Sequence, residues 1–211
     1  FEDTDRARYI PEALPNILET LRWLGLDWDE GPDSNDFESA GSYGPYIQSQ
    51  RLQLYQDTVG TLLNNGYAYP CYCSPDRLKE LRISQQKTKS MLGYDGHCRR
   101  LTTGEKQKLE KSGAPKVIRF RIPRQGSTLV QDLIRGQVVW ENDLLDDFVL
   151  IKSDGFPTYH LAVVTDDHLM EISHVMRAEE WLPKRSMWEE RDGQWNARAS
   201  TCLLYTSPSP R

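Results

Sequence analysis

Between Lys152 and Trp181 the sequence KSDGFPTYHLAVVTDDHLMEISHVMRAEEW sets a phenol, an imidazole, a guanidinium, carboxylates and an indole around apolar runs. Asp154-Gly155 and Pro157 predict a chain reversal, so residues 158–162 open a new element with polar groups at its edge. Residues 172–176 alternate as a short strand, and Arg177, Glu180 and Trp181 follow directly. In open α/β sheets, ligands sit beyond the carboxyl ends of strands, which is where Arg177 falls. A guanidinium there grips a carboxylate through paired hydrogen bonds, and a phenol such as Tyr159 can donate to another. Asp166-Asp167-His168 looks like a metal or acid/base cluster but reads mainly as structural.

A second set of chemical groups is the cysteines. Cys71 and Cys73 are one residue apart, and Cys98 follows twenty-five positions after Cys73, giving three thiolates able to hold Zn²⁺. Tyr94, His97 or water would complete the set. A pair two positions apart bridges poorly, so a secreted disulfide scaffold is excluded and a reducing compartment is expected.

The elements that must position these groups follow from periodicity. Pro11 or Pro15 starts a helix whose Ile17, Leu18, Leu21 and Leu24 recur at core spacing, with Gly25 closing it. Residues 26–44 read as a loop anchored by Trp28. Ser49 is placed to cap a second helix carrying Leu52, Tyr55, Val59, Leu62 and Leu63, which stops at Asn64-Asn65-Gly66. Residues 67–70 form a strand, Ser74-Pro75 starts a helix over 76–82, and residues 83–96 are polar and basic. A short helix over 103–111 and a strand over 117–122 come next. Strands around 128–134 and 138–141 flank Arg135-Gly136 as a hairpin, and residues 148–152 lead back to the first block.

The chain has 211 residues, 38% of them hydrophobic and 27% charged, an ordinary globular composition with ample core material. No apolar run approaches the roughly twenty residues of a membrane helix. The net charge of −5 hides an asymmetry: residues 71–124 hold fourteen Lys and Arg against five Asp and Glu. Such a basic block suits a nucleic-acid backbone, although a solvated insertion has the same composition.

FEDTDRARY, GPYIQSQRL, YPCYC, YDGHCRR and the block from Lys152 to Leu182 together resemble the bacterial-type glutamyl-tRNA synthetases, class I aminoacyl-tRNA synthetases that include organellar members. The resemblance covers residues 1–182. It implies an α/β fold: part of a Rossmann-like catalytic domain interrupted by an α+β connective domain that meets the tRNA acceptor end. The division expected is residues 1–70 and 151–182 for the body, 71–150 for the insertion, and 183–211 for a non-native or disordered tail.

By match, Glu2, Tyr159 and Arg177 line the amino-acid pocket with the neighbouring His160, Leu161, Ala162 and Val163, while Glu180 and Trp181 lie at the ATP end. Glutamate carries two carboxylates and an ammonium, which Arg177, Tyr159 and Glu2 suit by type. Some family members bind zinc at positions matching Cys71, Cys73 and Cys98. The function implied is ATP-dependent attachment of L-glutamate to tRNA(Glu), with ATP and Mg²⁺ as cofactors and tRNA, glutamate and ATP as partners of a monomer. The family's His-x-Gly-His and Lys-Met-Ser-Lys-Ser-like motifs are absent between Phe1 and Leu182, so no catalytic group is expected here and the isolated chain should form no glutamyl-adenylate. Two alternatives are a glutamyl transferase acting on a modified tRNA base and a non-catalytic tRNA-binding module. A mitochondrial matrix setting is preferred over a bacterial cytoplasm.

Overall fold

The computed structural model describes residues 1–6, 8–32, 39–133, 135–175 and 201–202. Helix α1, Ala13–Trp23, buries Leu14 and Leu18, whereas Ile17 and Leu24 are exposed. The helix therefore turns a narrower face inward than the spacing of Ile17, Leu18, Leu21 and Leu24 predicts, because Leu14 takes the place assigned to Ile17. The segment expected to be an unbroken loop holds a short antiparallel pair, β1 (Gly31–Pro32) with β2 (Ser39–Ala40). Trp28 anchors it, with the Arg22 guanidinium 5.2 Å above its ring.

Helix α2 is Leu52–Asn64 and follows a 3₁₀ turn, Gln48–Arg51. Ser49 does not cap it. The Ser49 N–H is instead taken by the Asp3 carboxylate at 2.8 Å, a cap supplied from the start of the chain. Strand β3, Ala68–Cys71, leads to α3, Pro75–Lys87, which starts where Ser74-Pro75 predicts: Ser74 Oγ accepts from Arg77 N at 3.2 Å. The helix runs past residue 82 into the polar stretch. Helix α4, Thr103–Lys111, carries a capping box between Thr102 and Glu105.

Strands β4 (Val117–Phe120) and β7 (Val149–Ile151) join β3 in an antiparallel sheet of order β3-β4-β7. A division of the chain at residue 70 thus runs through β3. Strands β5 (Ser127–Asp132) and β6 (Gly136–Glu141) form the expected hairpin. Strand β5 stops two residues early because the Asp132 carboxylate takes the Arg135 N–H at 2.8 Å, and Gly136 supplies the positive φ of 72° that the turn requires.

Helix α5, Tyr159–Leu169, packs on α2 and β7. Asp166-Asp167-His168 lie in its last turns. The helix ends with Glu171 at φ 54°, where Ile172 N–H bonds back to Asp167 O at 2.9 Å, so the strand expected from residue 172 starts only at His174 (β8, His174–Val175). Thr201–Cys202 (β9) pairs with β8 in parallel; the other described strand pairs are antiparallel.

The core lies between α2, α5 and the three-stranded sheet. Tyr55, Val59 and Leu62 meet Ala68, Phe120, Ile122, Phe148 and Leu150, and Leu161, Ala162 and Val164 close it from α5. Each fully buried aliphatic or aromatic side chain here stabilises the fold by about 1.5–3 kcal/mol. Among the described residues no helix is long and apolar enough to cross a membrane.

Candidate functional site

The start of α5 is pinned to the sheet. Thr158 N–H donates to Leu150 O at 2.7 Å and Thr158 Oγ1 donates to Val149 O at 2.7 Å, so β7 fixes where Tyr159 begins the helix. Tyr159 faces a cleft of about 510 Å³ that Glu2, Arg8, Gln48, Lys152 and Thr158 also line. A smaller cavity of about 230 Å³ is lined by Glu2, Glu30, Tyr46, Gln48, Val163 and Asp167. Glu2 and Gln48 line both, so these two side chains stand where the cavities meet.

Helical periodicity sorts the remaining candidates of the PTYHLAV stretch. Leu161 and Ala162 have no exposure and belong to the core. Val163, one residue on, reaches the smaller cavity. His160 packs edge-on against Phe148, with ring centroids 5.3 Å apart, and against Tyr159 at 5.5 Å. Arg177, Glu180 and Trp181 lie outside the described residues, as does the tail apart from residues 201–202.

The loop that carries Glu2 is held from three sides. Gln48 N–H donates to Phe1 O at 3.0 Å, Asp3 accepts from Ser49 N–H, and Lys152 Nζ donates to Thr4 O and to Asp154 Oδ2, each at 3.1 Å. Beneath it lies a buried hub. Asp166 accepts from Arg51 Nε at 2.8 Å, Gln48 Nε2 at 3.0 Å and Tyr55 Oη at 2.9 Å, while Arg51 Nη1 also donates to the carbonyls of Tyr43 and Pro45. Burial pushes the Asp166 carboxyl above the usual carboxylate range, against the opposing pull of Tyr55, Arg51 and Gln48. The same burial, with Asp166 alongside, raises the Tyr55 phenol. Asp166 is therefore a structural hub joining α2, α5 and the Tyr43–Tyr46 turn, as its structural reading requires.

The three predicted thiols do converge. The Sγ atoms of Cys71, Cys73 and Cys98 lie within 4.8 Å of one another, with 3.5 Å between Cys73 and Cys98. Tetrahedral Zn–S bonds of about 2.3 Å would set sulfurs about 3.8 Å apart, so the spacing fits the ion. Tyr94 is the neighbour that could complete the set: its Oη lies 3.4 Å from Cys71 Sγ and 3.6 Å from Cys73 Sγ, and it accepts from Cys98 N–H at 2.8 Å. His97 is exposed and stands outside the cluster. The hydrogen bond from Cys98 holds the Cys71 thiol well below the ordinary thiol range. Burial, reinforced by Cys71, raises the Tyr94 phenol.

Half of the fourteen Lys and Arg of the basic middle lie on α3 and α4, neither of which buries a residue. Lys79, Arg82, Lys108 and Lys111 are exposed. Gln48, Lys152 and Arg8 escaped the sequence reading as cleft residues. GPYIQSQRL and the Lys before Asp154-Gly155 were in view, but nothing local shows that they face Glu2.

A cleft built where a helix start meets an acidic loop is carried here on helices packed against a sheet, the arrangement of an α/β protein. The chain belongs to the class I tRNA synthetases (E and Q), whose catalytic-domain model matches residues 1–190. It is 56% identical over 182 residues to a glutamate-tRNA ligase of Dehalococcoides mccartyi, covering 86% of this chain and 35% of that protein. A glutamate-tRNA ligase of Borrelia recurrentis is 50% identical over 187 residues, covering 88% of this chain and 36% of its own length. Among solved structures, a glutamate tRNA ligase from Elizabethkingia meningosepticum in complex with its amino acid superposes with a TM-score of 0.80 at 37% identity, over 90% of this chain and 38% of that one. The chain thus spans about a third of the length of these relatives, and its fold is that of the class I synthetase catalytic domain.

Proposed function

We propose that this chain is part of an enzyme that attaches L-glutamate to tRNA(Glu) through a glutamyl-adenylate, with ATP and Mg²⁺, and that it contributes most of the amino-acid pocket. The observation that carries this reading is that Glu2 and Tyr159, from distant parts of the sequence, line one cleft. In that cleft the Glu2 carboxylate takes the ammonium, Tyr159 donates to a carboxylate, and Arg177 supplies the paired hydrogen bonds that select the second carboxylate. His160, Leu161 and Ala162 hold the helix start in place, and Val163 closes the inner wall. Glu180 and Trp181 serve the nucleotide. Catalysis in such a site is positioning and charge stabilisation more than covalent chemistry by side chains.

Residues 1–70 and 151–182 form the catalytic body, and residues 71–150 form an insertion joined to it through the shared sheet β3-β4-β7, which meets tRNA through the exposed lysines and arginines of α3 and α4. Cys71, Cys73 and Cys98, with Tyr94 as fourth ligand, hold a structural Zn²⁺, which would tie β3 to the turn before α4 and perform no chemistry. The relatives named above are bacterial, which favours a bacterial cytoplasm over the mitochondrial matrix expected from sequence. The protein acts as a monomer. The test is aminoacylation by the whole protein. Arg177→Ala should raise KM for glutamate by about 100-fold or more, as expected for loss of a bidentate ion pair worth roughly 3 kcal/mol. A change under about threefold would reject the pocket. The 211-residue chain alone should show no glutamate-dependent exchange of pyrophosphate into ATP.

A further inference from the structure

The thiol cluster has one open side. Cys71 and Cys98 are each 2% exposed, whereas Cys73 is only partly buried. Of the two buried sulfurs, Cys98 Sγ accepts from Tyr72 N–H at 3.3 Å, and Cys71 Sγ lies 3.4 Å from Tyr94 Oη. The Cys73 sulfur meets a guanidinium donor on the exposed side. Arg77 is the third residue of α3, and the cap that Ser74 Oγ gives its N–H fixes the backbone from which the side chain reaches back. Its Nη1 lies 3.4 Å from Cys73 Sγ, while Nη2 donates to Asp95 Oδ2 at 2.6 Å and Nη1 also meets Asp95 Oδ1 at 3.4 Å. Asp95 is itself fixed, since its Oδ1 accepts from His97 N–H at 3.2 Å and its carbonyl from Arg100 Nη1 at 2.9 Å.

We infer that Arg77, aimed by Asp95, is a positioning residue of the metal site: it hydrogen-bonds the Cys73 thiolate, sets its direction and covers it from water. The inference rests on the zinc reading given above. A thiolate on a dication keeps spare lone pairs and excess negative charge, and a charged donor on the sulfur offsets both. The planar fork matters, because one edge must meet the carboxylate while a neighbouring N–H points at sulfur. Arg119, buried and with its guanidinium 3.9 Å from the Tyr94 ring centroid, adds a second cation near the cluster. With Arg77 mostly outside the core, its side chain 32% exposed, loss of the ion pair with Asp95 by itself should cost the fold little.

The experiment titrates the 211-residue chain with Zn²⁺ against a chromophoric chelator, for the unaltered protein, Arg77→Met and Asp95→Asn. Loss of a partner in the outer shell of a metal site lowers affinity by about 10–100-fold, and that is the drop expected for Arg77→Met, with a smaller drop in the same direction for Asp95→Asn. Replacing zinc by Co²⁺ gives a second readout. A sulfur stripped of its donor gives up charge more easily, so the thiolate-to-cobalt absorption of Arg77→Met should move to longer wavelength, which a merely structural effect would not cause. An unaltered chain that takes up no zinc overturns the zinc reading and this inference with it. If the unaltered chain binds zinc and Arg77→Met binds it within about twofold with an unmoved cobalt band, the inference alone falls. Should Arg77→Met fail to fold, Asp95→Asn decides by the same two measurements.

Discussion

Replacing Arg51 by Met removes the cation at the buried hub while keeping most of the aliphatic stem, and the structure gives the cost. The Arg51 side chain is 2% exposed and Asp166 11%. The substitution deletes a charge-assisted bond to Asp166 and two bonds to the carbonyls of Tyr43 and Pro45, leaving a buried carboxylate with only Tyr55 and Gln48 as donors. Removing one partner of a buried pair costs about 3–5 kcal/mol, a large share of the roughly 5–15 kcal/mol that stabilises a domain. Urea unfolding should therefore show a lower midpoint at unchanged slope. Asp166→Asn combined with Arg51→Met should cost less than the two single changes added, with a coupling of about 2 kcal/mol or more.

The pH dependence has a definite sign. Burial already places the folded Asp166 pKa above its ordinary value of 3.8, so the favourable contribution of its protonated form is complete below that value and lost as pH rises through the folded pKa. Without Arg51 the carboxyl rises further. The Arg51→Met penalty should therefore shrink in acid, where a protonated Asp166 needs no cation. A cost under about 1 kcal/mol at neutral pH, or strict additivity in the double variant, would refute the hub as the joint between α2 and α5.

Leu150→Ala, at a side chain with no exposure between sheet and helices, should destabilise the chain by about 2–5 kcal/mol in the same urea assay. Ser74→Ala should cost about 1 kcal/mol by removing the cap of α3. A chelator should lower the melting temperature of zinc-loaded chain, because ligands bound only to the folded state stabilise it by mass action, and a chain triply changed at Cys71, Cys73 and Cys98 should show no such drop. Salt titration of tRNA binding should lose slope when Lys106, Lys108 and Lys111 are reversed in charge; an unchanged slope would move the tRNA contact off α4.

What the residues disclosed and what they hid divide along the range of the forces involved. Ser74-Pro75 marked a helix start because capping is a contact three residues long, and the hairpin at Arg135-Gly136 was legible for the same reason. Thr102 and Glu105 carried a capping box that spacing alone announces, though only the helix had been read from it. The convergence of Cys71, Cys73 and Cys98 followed from thiol chemistry and spacing, but the choice of Tyr94 over His97 as neighbour needed the turn that buries one and exposes the other. Ser49 failed as a cap because it lies inside the 3₁₀ turn Gln48–Arg51, where its own N–H needs an acceptor and finds one in Asp3, far away in sequence. Ile17 and Leu24 failed as core residues because helical spacing says which residues share a face, not which face meets a neighbour. The Arg51–Asp166 pair has no local signature whatever.

The decisive measurement is a crystal structure of the whole protein grown with L-glutamate. The amino acid should lie in the cleft between Glu2 and Tyr159, its ammonium on the Glu2 carboxylate, one carboxylate gripped by both guanidinium nitrogens of Arg177 and the other reached by the Tyr159 hydroxyl. Glutamate bound elsewhere, or an Arg177 guanidinium pointing away from this cleft, would contradict it.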